Sequence, residues 1–187
     1  MSSERFIQIY TEHITRPGAD KLLEWMKSTD FFEAPASSRF HGDYAGGLCE
    51  HSIHVWEELI RLMKAYPEVK ASDETIAIVS LLHDLCKIGV YKTELRNKKV
   101  NGVWVQQPTY VFQEDFCFGG HGSKSVYIAQ KFMNLTNEEA VCINCHMGPW
   151  DRSPGDYSLS NAYEQWPLSW LLHIADESAI FIREKKV

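Results

Sequence analysis

The chain has 187 residues, 44% hydrophobic and 24% charged, with a formal net charge of −6 at pH 7. That length suits one domain, spanning 1–187, with a substantial core. The acidic balance argues against a non-specific binder of phosphate backbones, which usually presents a basic surface, but leaves room for a small anionic substrate.

The opening "MSSERFIQIYTEHI" has no basic region followed by an apolar run, so no secretory leader is expected. No apolar stretch approaches the ~20 residues that span a membrane. The cytoplasm is the expected compartment. Cys49, Cys86, Cys117, Cys142 and Cys145 are expected as reduced thiols.

In chain order, "PGADKLLEWMKS" sets Leu22, Leu23, Trp25 and Met26 on a helical stripe. The loop "APASSRFHGDYAGG" leads into "LCEHSIHVWEELIRLMKAY", an amphipathic helix stopped by Pro67. "SDETIAIVSLLHDLCKIG" reads as a helix with a Ser or Asp N-cap, running to Gly89. Two β-like runs, "VYKTELRNKKV" and "VWVQQPTYVF", meet at Asn101-Gly102, a favoured two-residue hairpin turn. Helices resume with "HGSKSVYIAQKFM" and "TNEEAVCINCHMGP"; the latter opens on a Thr136…Glu139 capping box and stops at Gly148-Pro149. A polar loop then precedes a last helix, "PLSWLLHIADESAIFIREKK". The expected architecture is all-α, a helical bundle carrying a β-hairpin insertion at about 90–112.

Several helices deliver a metal-ligand residue at an end or an apolar face: His51, the pair His83-Asp84, His121, His146 and Asp176. Imidazoles and carboxylates suit divalent first-row transition ions, and a bundle can project them to a shared point. Cys142, Cys145 and His146 also spell C-x-x-C-H, a c-type haem attachment signature. That reading needs export and leaves the other five ligand residues without a role. The two cysteines are read as helix packing.

The chain resembles the HD-domain metal-dependent phosphohydrolase superfamily from about Gly46 to Phe181. The matching segments are "GGLCEHSIHV", "SLLHDLCKIG", "GGHGSKSVYIA", "CINCHMG" and "LLHIADESA", in the order H…HD…H…H…D of the two-metal version. The resemblance implies one or two divalent ions (Fe, Mn, Zn, Ni or Co). His51, His83, Asp84 and Asp176 would hold the first ion. Asp84 would bridge to a second, held also by His121 and His146. A metal-bound hydroxide would then cleave a phosphate ester or anhydride of a small molecule, most simply a nucleotide. Lys87 matches the HD-x-x-K subgroup, implying a phosphate contact and, with Asp84, a catalytic role. Deoxynucleoside 5′-monophosphatases and alarmone hydrolases carry acidic residues at that position. The chain is also similar to symmetrical diadenosine tetraphosphate hydrolases and to HD-type 3′–5′ exoribonucleases. Mixed-valence di-iron oxygenases share the ligand pattern, and a non-catalytic nucleotide-binding module is the third reading.

Of the remaining residues, His54 is expected at the surface or beside a ligand, and His173 beside a ligand, rather than on the metal. Trp150 is expected to pack on the bundle, and Trp104 and Tyr110 within the hairpin. His13 and His41 carry no signal.

Overall fold

The computed structural model describes residues 2–184 other than 115, 117 and 154. Cys117 and the end of the last expected helix therefore lie outside the described residues. The helices are α1 (Ser2–His13), α2 (Ala19–Lys27), α3 (Gly47–Ala65), α4 (Asp73–Leu82), α5 (His121–Gln130), α6 (Asn137–Cys145), α7 (Ser158–Gln165) and α8 (Pro167–Ser178). Strands β1 (Tyr91–Val100) and β2 (Val103–Phe112) pair antiparallel between α4 and α5. The expected helical bundle with a hairpin insertion is what forms.

α3 lies at the centre, against α4 on one side and α8 on the other, while α6 packs on α4, α5 and α8. The apolar stripe of each helix feeds one core that includes Leu22, Met26, Leu59, Ile78, Leu82, Ile143 and Leu172. α1 adds Phe6, Ile9 and Tyr10, a helical spacing that buries all three. α4 is apolar on all sides, and every residue from Ile76 to Leu82 is buried. A helix with that pattern belongs at the centre of a core.

Two polar devices hold the helix ends. Ser72 caps α4 by accepting a hydrogen bond from the Thr75 amide at 3.0 Å. The Thr136–Glu139 capping box of α6 forms in full. Glu139, wholly buried, also takes both prongs of the Arg16 guanidinium at 2.7 and 2.8 Å, tying the α1–α2 connection to α6. α5 and α6 approach closely at Gly122, where a Cβ would lie 2.3 Å from the Asn144 carbonyl oxygen. That contact brings the two histidine-bearing helices together.

Two expectations are corrected. The polar loop before the last helix contains α7, whose residues are all at least partly exposed. Trp150 does not pack on the bundle; it is 79% exposed, at the end of the one-turn helix Gly148–Asp151. Among the described residues no helix is long and apolar enough to cross a membrane.

Candidate metal centre

α4 ends at Leu82, so the helix expected to run to Gly89 is interrupted at the His83-Asp84 pair. Asp84 leaves the helical region at φ −106°, ψ 21°, and a 3₁₀ turn, Leu85–Lys87, follows. The cause is competition for backbone donors. The Cys86 amide bonds to the Ser125 hydroxyl at 3.0 Å and the Gly89 amide to the Asp30 carboxylate at 2.9 Å, instead of to the preceding turn. The tighter turn swings Lys87 onto Asp84, with Nζ 2.6 Å from Oδ2.

Asp84 is the hub. Its Oδ2 lies 3.3 Å from His83 Nε2 and 3.7 Å from His51 Nε2, and its Oδ1 lies 3.6 Å from His146 Nε2. Asp176 from α8 approaches the same His51 nitrogen, Oδ1 to Nε2 at 3.1 Å. All five residues are buried. The imidazole rings of His51, His83 and His146 form a row, with centroids 5.3 and 5.0 Å apart.

Each ring is anchored by its other nitrogen. His83 Nδ1 bonds to the Ser80 carbonyl at 2.7 Å, His146 Nδ1 to the Ile143 carbonyl at 2.7 Å, and His51 Nδ1 to the Glu184 carboxylate at 3.1 Å. Those acceptors require Nδ1–H, so in the neutral rings each Nε2 lone pair is directed at the cluster. The three Nε2 atoms and Asp176 Oδ1 are buried without a well-directed hydrogen bond. Such convergent orphaned donors fit a divalent transition ion, which suits this imidazole–carboxylate mixture. His51, His83 and Asp84 form one group of ligand atoms mutually within 4.8 Å, His83, His146 and Asp176 a second, and His41, His51 and Glu184 a third.

The electrostatics point the same way. Burial works against the Asp84 carboxylate, yet Lys87 and His83 outweigh it and hold its pKa well below the ordinary value. Burial opposes the His51 imidazolium, but the carboxylates of Asp176 and Glu184 on either side lift its pKa to about 9. The centre concentrates negative charge around imidazoles, an environment that favours a cation.

Sequence reasoning missed Glu184 and His41. On a continuous α-helix Glu184 would stand about 80° round from Asp176. Instead, α8 gives way to a π-helical turn, Ala179–Arg183, closed by the Glu184 amide bonding to the Ala179 carbonyl at 2.9 Å. The wider turn takes up the offset and returns Glu184 to the site. Arg183 pairs with Glu57 and Glu58 of α3, pinning the segment. The Glu184 Oε1 atom accepts from His54 Nδ1 at 2.8 Å as well as from His51, so His54 lies one step out, as expected. His41 packs against His51 in a tilted arrangement with centroids 4.8 Å apart, and burial and neighbouring cations hold it neutral, with its pKa lowered to about 4. Neither residue sits in a motif; a half-turn change of helix type and a loop fold bring them in. His173 also behaves as expected, donating from Nδ1 to the His146 carbonyl at 2.8 Å. Its ring fills the space where a Cβ on Gly148 would sit at 2.5 Å, and Gly148 has φ +56°, so glycine is required there.

The family model for the HD domain matches residues 48–179. The chain belongs to the HD domain family. No curated protein and no solved structure matches it. HD domains are in general metal-dependent hydrolases of phosphate compounds and bind divalent ions, in keeping with the donor set just described.

In this HD domain the cluster opens into a cleft of about 320 Å³ lined by His41, Asp84, Lys87, Tyr91, His121 and Asp176, among others. His121 differs from the other five sequence-assigned ligands. It is exposed at the first turn of α5, where its amide donates to Asp151 Oδ2 at 3.2 Å. Its side chain lines the cleft rim and is not among the grouped ligand atoms. Cys49, Cys86, Cys142 and Cys145 are buried free thiols, and the Cys142–Cys145 pair packs inside α6 away from the metal groups.

Proposed function

We propose that this HD domain is a metal-dependent phosphohydrolase acting on a phosphate ester or anhydride, with a nucleotide as the simplest substrate. The observation that carries the reading is the arrangement around Asp84. Three imidazole nitrogens converge on it, its two oxygens face different histidines, and a second carboxylate, Asp176, stands 3.1 Å from the Nε2 atom of His51. His51, His83, Asp84 and Asp176 would hold one ion; Asp84, His146 and, from the rim, His121 would hold another. When bound, such ions supply positive charge to phosphoryl oxygens and acidify water.

The chain's own residues do the rest. Burial disfavours the Lys87 ammonium, but Asp84 raises its pKa and keeps it charged. It lines the cleft while paired with Asp84 Oδ2, and an ammonium has further N–H donors to offer a phosphate oxygen. Glu184, Ser80 and Ile143 fix the three rings. In the reaction, water forms a new P–O bond and gives up a proton, the bond from phosphorus to the leaving oxygen breaks with its pair going to that oxygen, and the leaving oxygen takes up a proton, so the net transfer is of one proton from water. The domain is read as a single unit over residues 1–187.

The test is turnover under anaerobic conditions with manganese, on a panel of nucleotides, dinucleoside polyphosphates and simple phosphodiesters. Release of phosphate or nucleotide products is expected, and Asp84→Ala should abolish both metal binding and turnover. Turnover that strictly requires iron and dioxygen would replace this reading with a di-iron oxygenase. Metal-free protein that binds nucleotides unaffected by Asp84→Ala would replace it with a binding module.

A further inference from the structure

The hairpin projects large apolar side chains into water. Trp104 is 67% exposed, Leu95 66% and Val103 63%, so the expected packing of Trp104 within the hairpin is corrected. The strand register sorts these residues. Tyr91–Phe112, Thr93–Tyr110, Leu95–Pro108, Asn97–Gln106 and Lys99–Trp104 are opposite pairs and therefore share one face. That face starts at the cleft, where Tyr91 and Phe112 stand beside Asp84 and Lys87. It reaches Trp104 roughly 25 Å further out, at strand spacing.

The charge is as uneven as the apolar surface. Residues 91–112 hold Lys92, Arg96, Lys98 and Lys99 against Glu94, a balance of +3, so the rest of the chain carries −9. The net value of −6 conceals a basic arm on an acidic body. The backbone layer of a two-stranded ribbon is thinner than the Debye length of about 8 Å. Lys92, Arg96 and Lys98, which lie on the other face by register, therefore still act on an anion lying along the aromatic face.

We propose that the hairpin is an arm that binds single-stranded nucleic acid and leads it toward the metal cleft. The binding half stands on the hairpin; delivery of a phosphodiester to the cluster rests on the hydrolase reading above. Unpaired bases stack on exposed aromatic rings regardless of sequence, and basic side chains neutralise the backbone between them. A duplex hides its base faces, and a cleft of about 320 Å³ is of small-ligand size. It suits the end of one strand. Continuity of the aromatic face with the cleft favours a substrate strand over a second copy of the chain, whose acidic body is the competing partner for the arm.

The experiment titrates a fluorescent oligothymidylate with the full chain and reads anisotropy over a salt series, with strand integrity followed on a gel. Affinity should fall linearly on a log–log plot against salt. The triple variant Arg96→Glu, Lys98→Glu, Lys99→Glu changes exposed residues only. It should weaken binding at least tenfold and flatten the salt slope by about two, at ~0.7 per phosphate contact. Trp104→Ala should cost about tenfold with the slope unchanged. Both variants should hydrolyse bis(p-nitrophenyl) phosphate with manganese at the wild-type rate, because the outer arm is remote from the cluster. Absence of binding, or binding indifferent to both variants, overturns the proposal. So does self-association in sedimentation velocity that the same variants abolish while no oligonucleotide binds, which assigns the arm to a second copy. Oligonucleotide binding without cleavage of the strand or of the small diester upholds the arm and overturns delivery of a diester to the cleft, while the nucleotide panel above decides the hydrolase reading separately.

Discussion

Replacing Glu184 with alanine tests how the site is built, because the change is made outside the six ligands assigned from the sequence. Its Oε1 atom accepts from His51 Nδ1 at 3.1 Å and from His54 Nδ1 at 2.8 Å, and its side chain is 5% exposed. Without it, the His51 ring loses the acceptor that fixes its tautomer and its aim, while Asp176 and Asp84 remain. Loss of an orienting partner of this kind costs about 10–100-fold in metal affinity, equivalent to about 1.4–2.7 kcal/mol. The assay is competition for Mn(II) or Zn(II) against a chromophoric chelator at fixed pH. Glu184→Gln keeps a carbonyl oxygen able to accept the Nδ1–H and should recover most of the affinity. His54→Ala removes only the outer hydrogen bond and should change little. Wild-type affinity in Glu184→Ala would refute the orienting role. Equal losses in the alanine and glutamine variants would show that charge, not the tautomer, is what Glu184 provides.

The same contacts set a pH window for the metal-free protein. His51 is raised to about 9 from 6.5, so its stabilisation is complete below about 6.5 and is lost as pH rises through 9. Burial opposes the Glu184 charge, but its histidine partners lower its pKa to about 2 from 4.5, so its contribution is complete above about 4.5 and is lost toward 2. Tm in chelator should therefore peak between about 4.5 and 6.5 and flatten in Glu184→Ala; a Tm that climbs from 6.5 to 9 would contradict this. Cys142→Ala with Cys145→Ala should leave metal content and hydrolysis near wild type, whereas His146→Ala should lose the second ion, as read by metal analysis. Arg16→Ala strands the buried Glu139 carboxylate and should cost about 3 kcal/mol in urea unfolding, with metal affinity unchanged.

The parts of this molecule that were readable in the sequence are those in which local chemistry decides. Ser72 and the Thr136–Glu139 box mark helix starts because side-chain oxygens satisfy local amides. Asn101-Gly102 marks the hairpin because both residues adopt positive φ, 50° and 86°. The H…HD…H…H…D order placed His51, His83, Asp84, His146 and Asp176 in one buried cluster without any coordinates. What stayed hidden depends on tertiary competition. The break at Asp84 arises from Ser125 and Asp30, residues far along the chain. α1 went unassigned although Phe6, Ile9 and Tyr10 carry the helical spacing, and α7 shows no buried face to read. Glu184 needed the π turn, which no composition announces. The summed charge of −6 masked the polarity between arm and body, since a sum carries no positions.

The span between His51 and Glu184, 133 residues along the chain, has a consequence for synthesis. A chain leaves the ribosome N-terminus first, so His51, His83 and Asp84 emerge long before Asp176 and Glu184. A nascent chain at that stage offers only part of a coordination set, with the His51 ring still unoriented. The full donor set therefore forms only when α8 and its π turn have docked on α3, and the binding free energy of any ion held there would arrive as the last stage of folding. The order of translation itself leaves the coordination set incomplete until α8 and its π turn have docked.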